Sequence, residues 1–260
     1  MKILSAALVA AICLSTSAAS AADWATLKVK VVFDGKQPKL PPLEGTAKEP
    51  FCVDKKLPNE LIVVGAKGEL SNLALIMDMR KSEVDDIHPD LAKPPTEPLV
   101  IDNKDCIFEP RVSFLQAGRP VIVKNSDKCA HNYKIDPFSN DPINILVPIG
   151  GQIQAEFKDG ERSNFSEYGC TIHPWMKGQL IIREHPYVGV SDKKGELVIK
   201  DLPAGKLTFK VVHEAMNRSI KEITLGGKKM KTSRGNIEVE LKPGMNDLGT
   251  LVVAPDQFDL

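Results

Sequence analysis

Tyr168-Gly-Cys-Thr-Ile-His-Pro-Trp-Met-Lys-Gly178 sets a thiol, an imidazole and a thioether at i, i+3 and i+6. Cys170, His173 and Met176 are the soft or borderline donors of this chemistry. Soft sulfur ligands select copper(I), and imidazole suits copper in either oxidation state. A trigonal site of two His and one Cys with a weak axial Met needs a second imidazole from elsewhere. Upstream, Asn125-Ser-Asp-Lys-Cys-Ala-His-Asn132 follows the apolar run Val121-Ile-Val123. His131 then leaves the end of a strand, a rigid place from which to present a ligand. Two blander readings stand beside this one. A buried Cys is often a small hydrophobe, and zinc takes four Cys, His or carboxylate ligands but has little use for a thioether.

The whole string Cys170-Thr-Ile-His-Pro-Trp-Met-Lys-Gly178 resembles the ligand loop of the small blue copper proteins, the cupredoxins, with the tight amicyanin-like Cys-two-His-two-Met spacing. The pair His131-Asn132 is also similar to that family. The resemblance covers roughly residues 99–184. It implies one type 1 copper held by His131, Cys170, His173 and Met176. It implies an outer role for Asn132, tying its loop to the backbone near Thr171, since metal ligands need such partners to fix their orientation. It also implies that His173 lies at the molecular surface, flanked by Pro174 and Trp175, where redox partners dock briefly over a small interface.

The chain opens like an exported protein. Lys2 gives a positive start, Ile3 to Leu14 an apolar core, and Ala19-Ser20-Ala21 a small-residue cleavage site, so 1–21 reads as a signal peptide. Cys13 follows Ile12 where a lipidated Cys wants a small residue, so no lipoprotein is read. The mature protein is then periplasmic or extracellular and permits disulfides. The apolar core is too short to span a bilayer, and Leu61 to Met79 is interrupted by Lys67 and Glu69. The 34 Lys+Arg balance 34 Asp+Glu; losing Lys2 leaves a net charge of −1. That balance argues against nucleic acid, which wants a clustered basic face.

The 19 Pro and 18 Gly divide many short apolar segments, the punctuation of an all-β chain. Ala25 to Phe33 alternates and ends in the turn Asp34-Gly35. Residues 37–60 and 81–98 read as Pro-rich excursions, the second carrying His88 as an exposed residue. Leu61–Val64 and Leu73–Met77 read as strands, and 99–101, 107–108, 111–115 and 121–123 as a tighter series. The 38 residues between His131 and Cys170 leave room for two or three strands of a Greek-key sandwich. The expected organisation is a cupredoxin β-sandwich over 22–184 and a smaller β-sandwich over 185–260. The latter resembles the carboxypeptidase-regulatory-like (transthyretin-like) domains through Asp192, Gly195, Leu202-Pro203 and Gly205. That resemblance implies interaction, not catalysis.

Of the remaining cysteines, an exported protein should pair two. Cys52 and Cys106 flank the inserted loops, and a bridge there would pin the excursion at about 2–4 kcal/mol. Cys129 is left free. His185 and His213 read as surface or core residues. Five His in all are too few for a multicopper cluster, and no hydrolase or phosphate-binding pattern stands out. The expected function is a non-enzymatic carrier of single electrons between redox proteins. A copper carrier or sensor, and a metal-free interaction scaffold, are the alternatives; oligomeric state is not legible.

Overall fold

Strand residues that face two cores explain how this chain is assembled. In the computed structural model, which describes residues 23–43, 49–55, 57–216 and 220–260, the chain is all-β, as expected. The expected signal peptide lies outside the described residues. The first strands are β1 (Trp24–Phe33) and β2 (Ala74–Met77). Next come β3 (Leu99–Lys104), β4 (Ile107–Glu109), β5 (Val112–Gln116), β6 (Val121–Asn125) and β7 (His131–Ile135). β8 (Ile143–Val147), β9 (Gln152–Ala155), β10 (Ser166–Gly169) and β11 (Lys177–Arg183) complete that unit. The last seven are β12 (Val188–Val190), β13 (Glu196–Pro203), β14 (Gly205–Val212), β15 (Glu222–Leu225), β16 (Lys228–Lys231), β17 (Asn236–Leu241) and β18 (Gly244–Val253). Residues 61–64 form no strand; Val64 makes one isolated bridge to Leu70.

These strands form two sandwiches. One has sheets ordered β4-β3-β6-β9 and β5-β11-β10-β7-β8, and the other β13-β1-β18-β15-β16 and β12-β2-β14-β17. The boundary expected at 184/185 is therefore redrawn. β1 lies between β13 and β18, and β2 between β12 and β14. The N-terminal strands belong to the sandwich of residues 188–253, and the 99–183 unit is inserted between β2 and β12. The physical reason is that alternation marks Ala25, Leu27, Val29, Val31 and Phe33 as one buried face without naming the strand's partners.

Core composition follows from how many faces are covered. All four residues of β2 are buried. Leu75 and Met77 point into the host core, while Ala74 and Ile76 point to a junction with Val112, Ile181, Val188 and Val212. β11 does the same from the other side, with Leu180 and Ile182 in the inserted core and Ile181 at the junction. A continuous apolar run is what a strand covered on both faces requires. Arg111 closes this junction with a two-pronged pair to Glu214, at 2.6 and 2.9 Å.

The histidines outside the ligand loop have structural partners. His213 is buried, donates from Nε2 to the Ser71 carbonyl (3.2 Å) and accepts the Ala215 N–H at Nδ1 (3.1 Å). His185 Nδ1 accepts the Tyr187 N–H. His88 is half-buried rather than exposed, its ring against Trp24 with centroids 4.7 Å apart.

Two predictions follow from this organisation. A fragment of residues 185–260 lacks β1 and β2, leaving unpaired edges in both sheets; its far-ultraviolet circular dichroism and amide chemical-shift dispersion will be those of an unfolded chain. Second, burial pushes His213 down to about 4. The unfolded ring takes its proton near pH 6.5, so this contribution is complete above 6.5 and is lost as pH falls from there towards 4. Its full size is about 3 kcal/mol. Urea denaturation across that window will show the loss, and His213→Gln, still able to donate to Ser71, will flatten it.

Candidate metal centre

Cys170 to Met176 is the short connection between β10 and β11, whose ends pair as Gly169 with Lys177. Two hydrogen bonds tighten it: Cys170 N–H to Met176 O (3.1 Å) and Met176 N–H to His173 O (2.9 Å). Gly178 permits this approach, because a Cβ there would run into the Tyr168 ring. His131 opens β7, the strand beside β10. The non-local pairing of β7 with β10 therefore brings His131 to a loop 39 positions further on.

Cys170 Sγ lies 3.9 Å from His131 Nδ1 and 3.6 Å from His173 Nδ1, and the two Nδ1 atoms are 2.9 Å apart. His131, Cys170, His173 and Met176 are 0–3% exposed, and Met176 shares the inserted core with Cys170. Trigonal coordination at about 2.0–2.1 Å from nitrogen and about 2.3 Å from sulfur would set Sγ and each nitrogen roughly 3.8 Å apart. The triangle fits an ion with a small spreading of the two rings.

The proton positions point the same way. His131 Nε2 meets the buried Asp127 carboxylate at 3.0 Å, and His173 Nε2 meets Glu49 Oε2 at 3.2 Å. A ring nitrogen facing a carboxylate carries the proton, which fixes the tautomer. With each Nε2 turned to a carboxylate, both Nδ1 atoms face each other and Cys170 sulfur. Three potential ligand atoms then converge, and a proton on His131 Nδ1 is what a bound cation would replace.

The local electrostatics favour thiolate on Cys170 and the charged ring on His131, so metal binding there would release a proton. Burial alone would raise the Cys170 thiol, but hydrogen bonds from His131 and the Asn132, His173 and Ile172 backbone N–H groups outweigh it and hold it low. Burial also works against charge on His131, yet Asp127 and Cys170 outweigh it and lift the ring to about 8. For His173 burial prevails over Glu49 and lowers it. Burial, then Asp127, pushes Cys129 up to about 11. Cys129 Sγ, His131 and His173 also offer atoms within 4.8 Å of one another. Cys129, however, approaches Nε2 of His131 (3.5 Å), the side turned away from Cys170.

Asn132 Oδ1 accepts both the Thr171 N–H (2.7 Å) and its hydroxyl (3.0 Å), while Nδ2 donates to Asn144 Oδ1 (2.6 Å). The Cys52–Cys106 disulfide expected on compartment is formed, with Cα atoms 5.9 Å apart. The docking expectation needs a correction. His173 is only 2% exposed, because the excursion carrying Glu49 folds over it. Trp175 is half-buried, its Nε1–H donating to Cys106 O (3.1 Å), and Pro174 and Ile172 form the exposed rim. Sequence reading missed both carboxylates. Asp127, four positions before His131, was findable; Glu49 lies 124 positions from His173 and had only its proximity to Cys52 as a signal.

Removing the Asn132 side chain leaves the Thr171 N–H without its acceptor, at a cost of about 1–3 kcal/mol. Asn132→Ala will show a matching loss in urea denaturation, and Asn132→Asp, which keeps the acceptor, will lose less.

No family model and no curated protein matches the sequence. Among solved structures, a copper-containing nitrite reductase from Thermus scotoductus is 22% identical, with a TM-score of 0.32 over 38% of this chain and 27% of that one. The chain thus spans about a quarter of that enzyme. Amicyanin from Paracoccus versutus is 18% identical, with a TM-score of 0.30 over 42% of this chain and 97% of that one. A purple cupredoxin from Nitrosopumilus maritimus is 20% identical, with a TM-score of 0.27 over 32% and 98%. Partial likeness to cupredoxins is what these comparisons give.

Proposed function

We propose that His131 Nδ1, Cys170 Sγ, His173 Nδ1 and the Met176 thioether would hold one copper ion, and that the chain carries single electrons between redox proteins. The observation that carries this reading is the convergence of His131 Nδ1, His173 Nδ1 and Cys170 Sγ at 2.9–3.9 Å. Thiolate, two imidazoles and a thioether are the donor set of a blue-copper site rather than of a zinc site. Copper bound there supplies one-electron cycling between Cu(II) and Cu(I).

The protein's own residues do the rest. Asn132 N–H points at Cys170 Sγ (3.4 Å), and hydrogen bonds to sulfur tune a site of this kind. Asp127 and Glu49 keep the rings from turning. The two sheets fix the ligands before metal arrives, so neither oxidation state relaxes far. With five His in the chain and the other three engaged elsewhere, the reading is a carrier and not an enzyme. Export through the N-terminal signal, and docking of redox partners at the exposed rim of Pro174 beside the half-buried Trp175, belong to the same proposal. The outer sandwich, read as carboxypeptidase-regulatory-like, is its interaction module. Among the described residues no helix is long and apolar enough to cross a membrane.

The test is visible absorption and electron paramagnetic resonance of the mature protein after adding copper(II). An intense thiolate-to-copper band with narrow parallel hyperfine splitting, abolished by Cys170→Ala and kept in Cys129→Ser, is the expected result. A weak tetragonal signal alone overturns the proposal.

A further inference from the structure

His173 sits in a surface connection whose neighbours Thr171, Ile172 and Pro174 are exposed, yet the imidazole itself is covered. We propose that residues 49–55 are a tethered cap on this imidazole, with Glu49 as a positioning residue and the Cys52–Cys106 disulfide as the anchor. The effect on potential rests on the copper reading above; the cap itself does not.

The cap is built by local bonds. Glu49 O accepts the Cys52 and Val53 N–H groups (both 2.9 Å), and Cys52 O accepts the Lys55 N–H (3.1 Å). The two carboxylate oxygens are divided: Oε1 accepts the Phe51 N–H (3.3 Å) and Oε2 faces His173 Nε2 (3.2 Å). That division fixes the direction in which the carboxylate points. Anchoring comes from the disulfide and from Lys55 Nζ to Asp105 Oδ1 at 2.6 Å.

Cys106 joins this cap to the rest of the centre. Its sulfur holds Cys52, and its carbonyl accepts from Trp175, whose ring lies 5.1 Å from the His173 ring. Its N–H is accepted by Asp127 Oδ2 (2.8 Å), and Asp127 faces the other imidazole. Both carboxylate–imidazole pairs therefore lead back to one residue.

The chemistry is specific. A carboxylate accepting from the far N–H makes an imidazole a stronger donor, and its negative charge favours Cu(II) over Cu(I). The cap also stands between the imidazole and solvent. The kind of partner this admits is one that meets Pro174 and Ile172 at the rim, with Glu49 interposed before the ring.

Two variants separate the effects of charge and cover. Glu49→Gln keeps an acceptor but removes the charge. Cys52→Ser with Cys106→Ser cuts the tether. Both must change together, because Cys129 sulfur lies within 4.8 Å of each and would pair with whichever remained. Reaction of the apo-protein with diethyl pyrocarbonate, read at the His173 peptide by mass spectrometry, is the first measurement. His173 should be protected in the native protein and in Glu49→Gln, and modified about tenfold faster in the untethered variant through local opening. Should that variant not fold, Glu49→Ala, which keeps the disulfide, should show the same gain. The second measurement is the reduction potential of the copper-loaded protein. Glu49→Gln should raise it by the equivalent of a several-fold shift towards Cu(I), tenfold being 59 mV for one electron. Full reactivity of His173 in the native protein overturns the cap. A potential unmoved by Glu49→Gln overturns the positioning role. Absence of a blue band in the native protein overturns the copper reading instead, and the protection experiment still decides the cap.

Discussion

Proton placement on two imidazoles is the constraint on which the centre depends. A histidine has one proton to give when neutral, and here a carboxylate claims it on each ring. The rings are left with their Nδ1 atoms 2.9 Å apart and a sulfur beside them. Buried polar atoms need a partner, and the proton that Asp127 and Cys170 favour on His131 supplies one. The fold imposes this arrangement by pairing β7 with β10 and by closing the connection from Cys170 to Met176 with its own backbone bonds. The site is thus a charge problem written into a rigid frame.

That frame is covered on both sides along one edge. At β5 and β11 the sheet that holds His131 and the Cys170 connection presents one face to its own core and, through Val112 and Ile181, the other to the outer sandwich. Close-packed interiors resist small displacements. The bidentate Arg111–Glu214 pair, whose carboxylate is almost fully buried, adds a directional lock where apolar contact alone would allow sliding.

Much of the proposed ligand set was legible because it is local. Cys170, His173 and Met176 lie within seven residues, and His131 follows a recognisable strand. Asn132 was legible by its position beside His131. What was hidden is what long-range pairing decides. β1 alternates as plainly as any strand here, but its neighbours β13 and β18 lie some 170 and 220 positions away, and nothing in its own residues names them. The burial of His173 was hidden for the same reason: a Pro-rich excursion gives no periodicity from which to place Glu49. The disulfide is the intermediate case, since two cysteines and an oxidising compartment narrowed the choice that the fold then made.

The insertion has a thermodynamic consequence. β2 and β12 are antiparallel neighbours, with Ile76 opposite Val188, so about 110 residues depart from and return to one edge of the host. If those residues were a flexible loop, closing them would cost the host about 4 kcal/mol in chain entropy. Once the inserted sandwich folds, its ends are already close, and that cost is met before the host sheet forms. The two units therefore share free energy without sharing a ligand. Whatever stabilises the inserted unit stabilises the outer one as well, so the host doubles as a reporter of events at a site that it reaches through its β1–β2 connection.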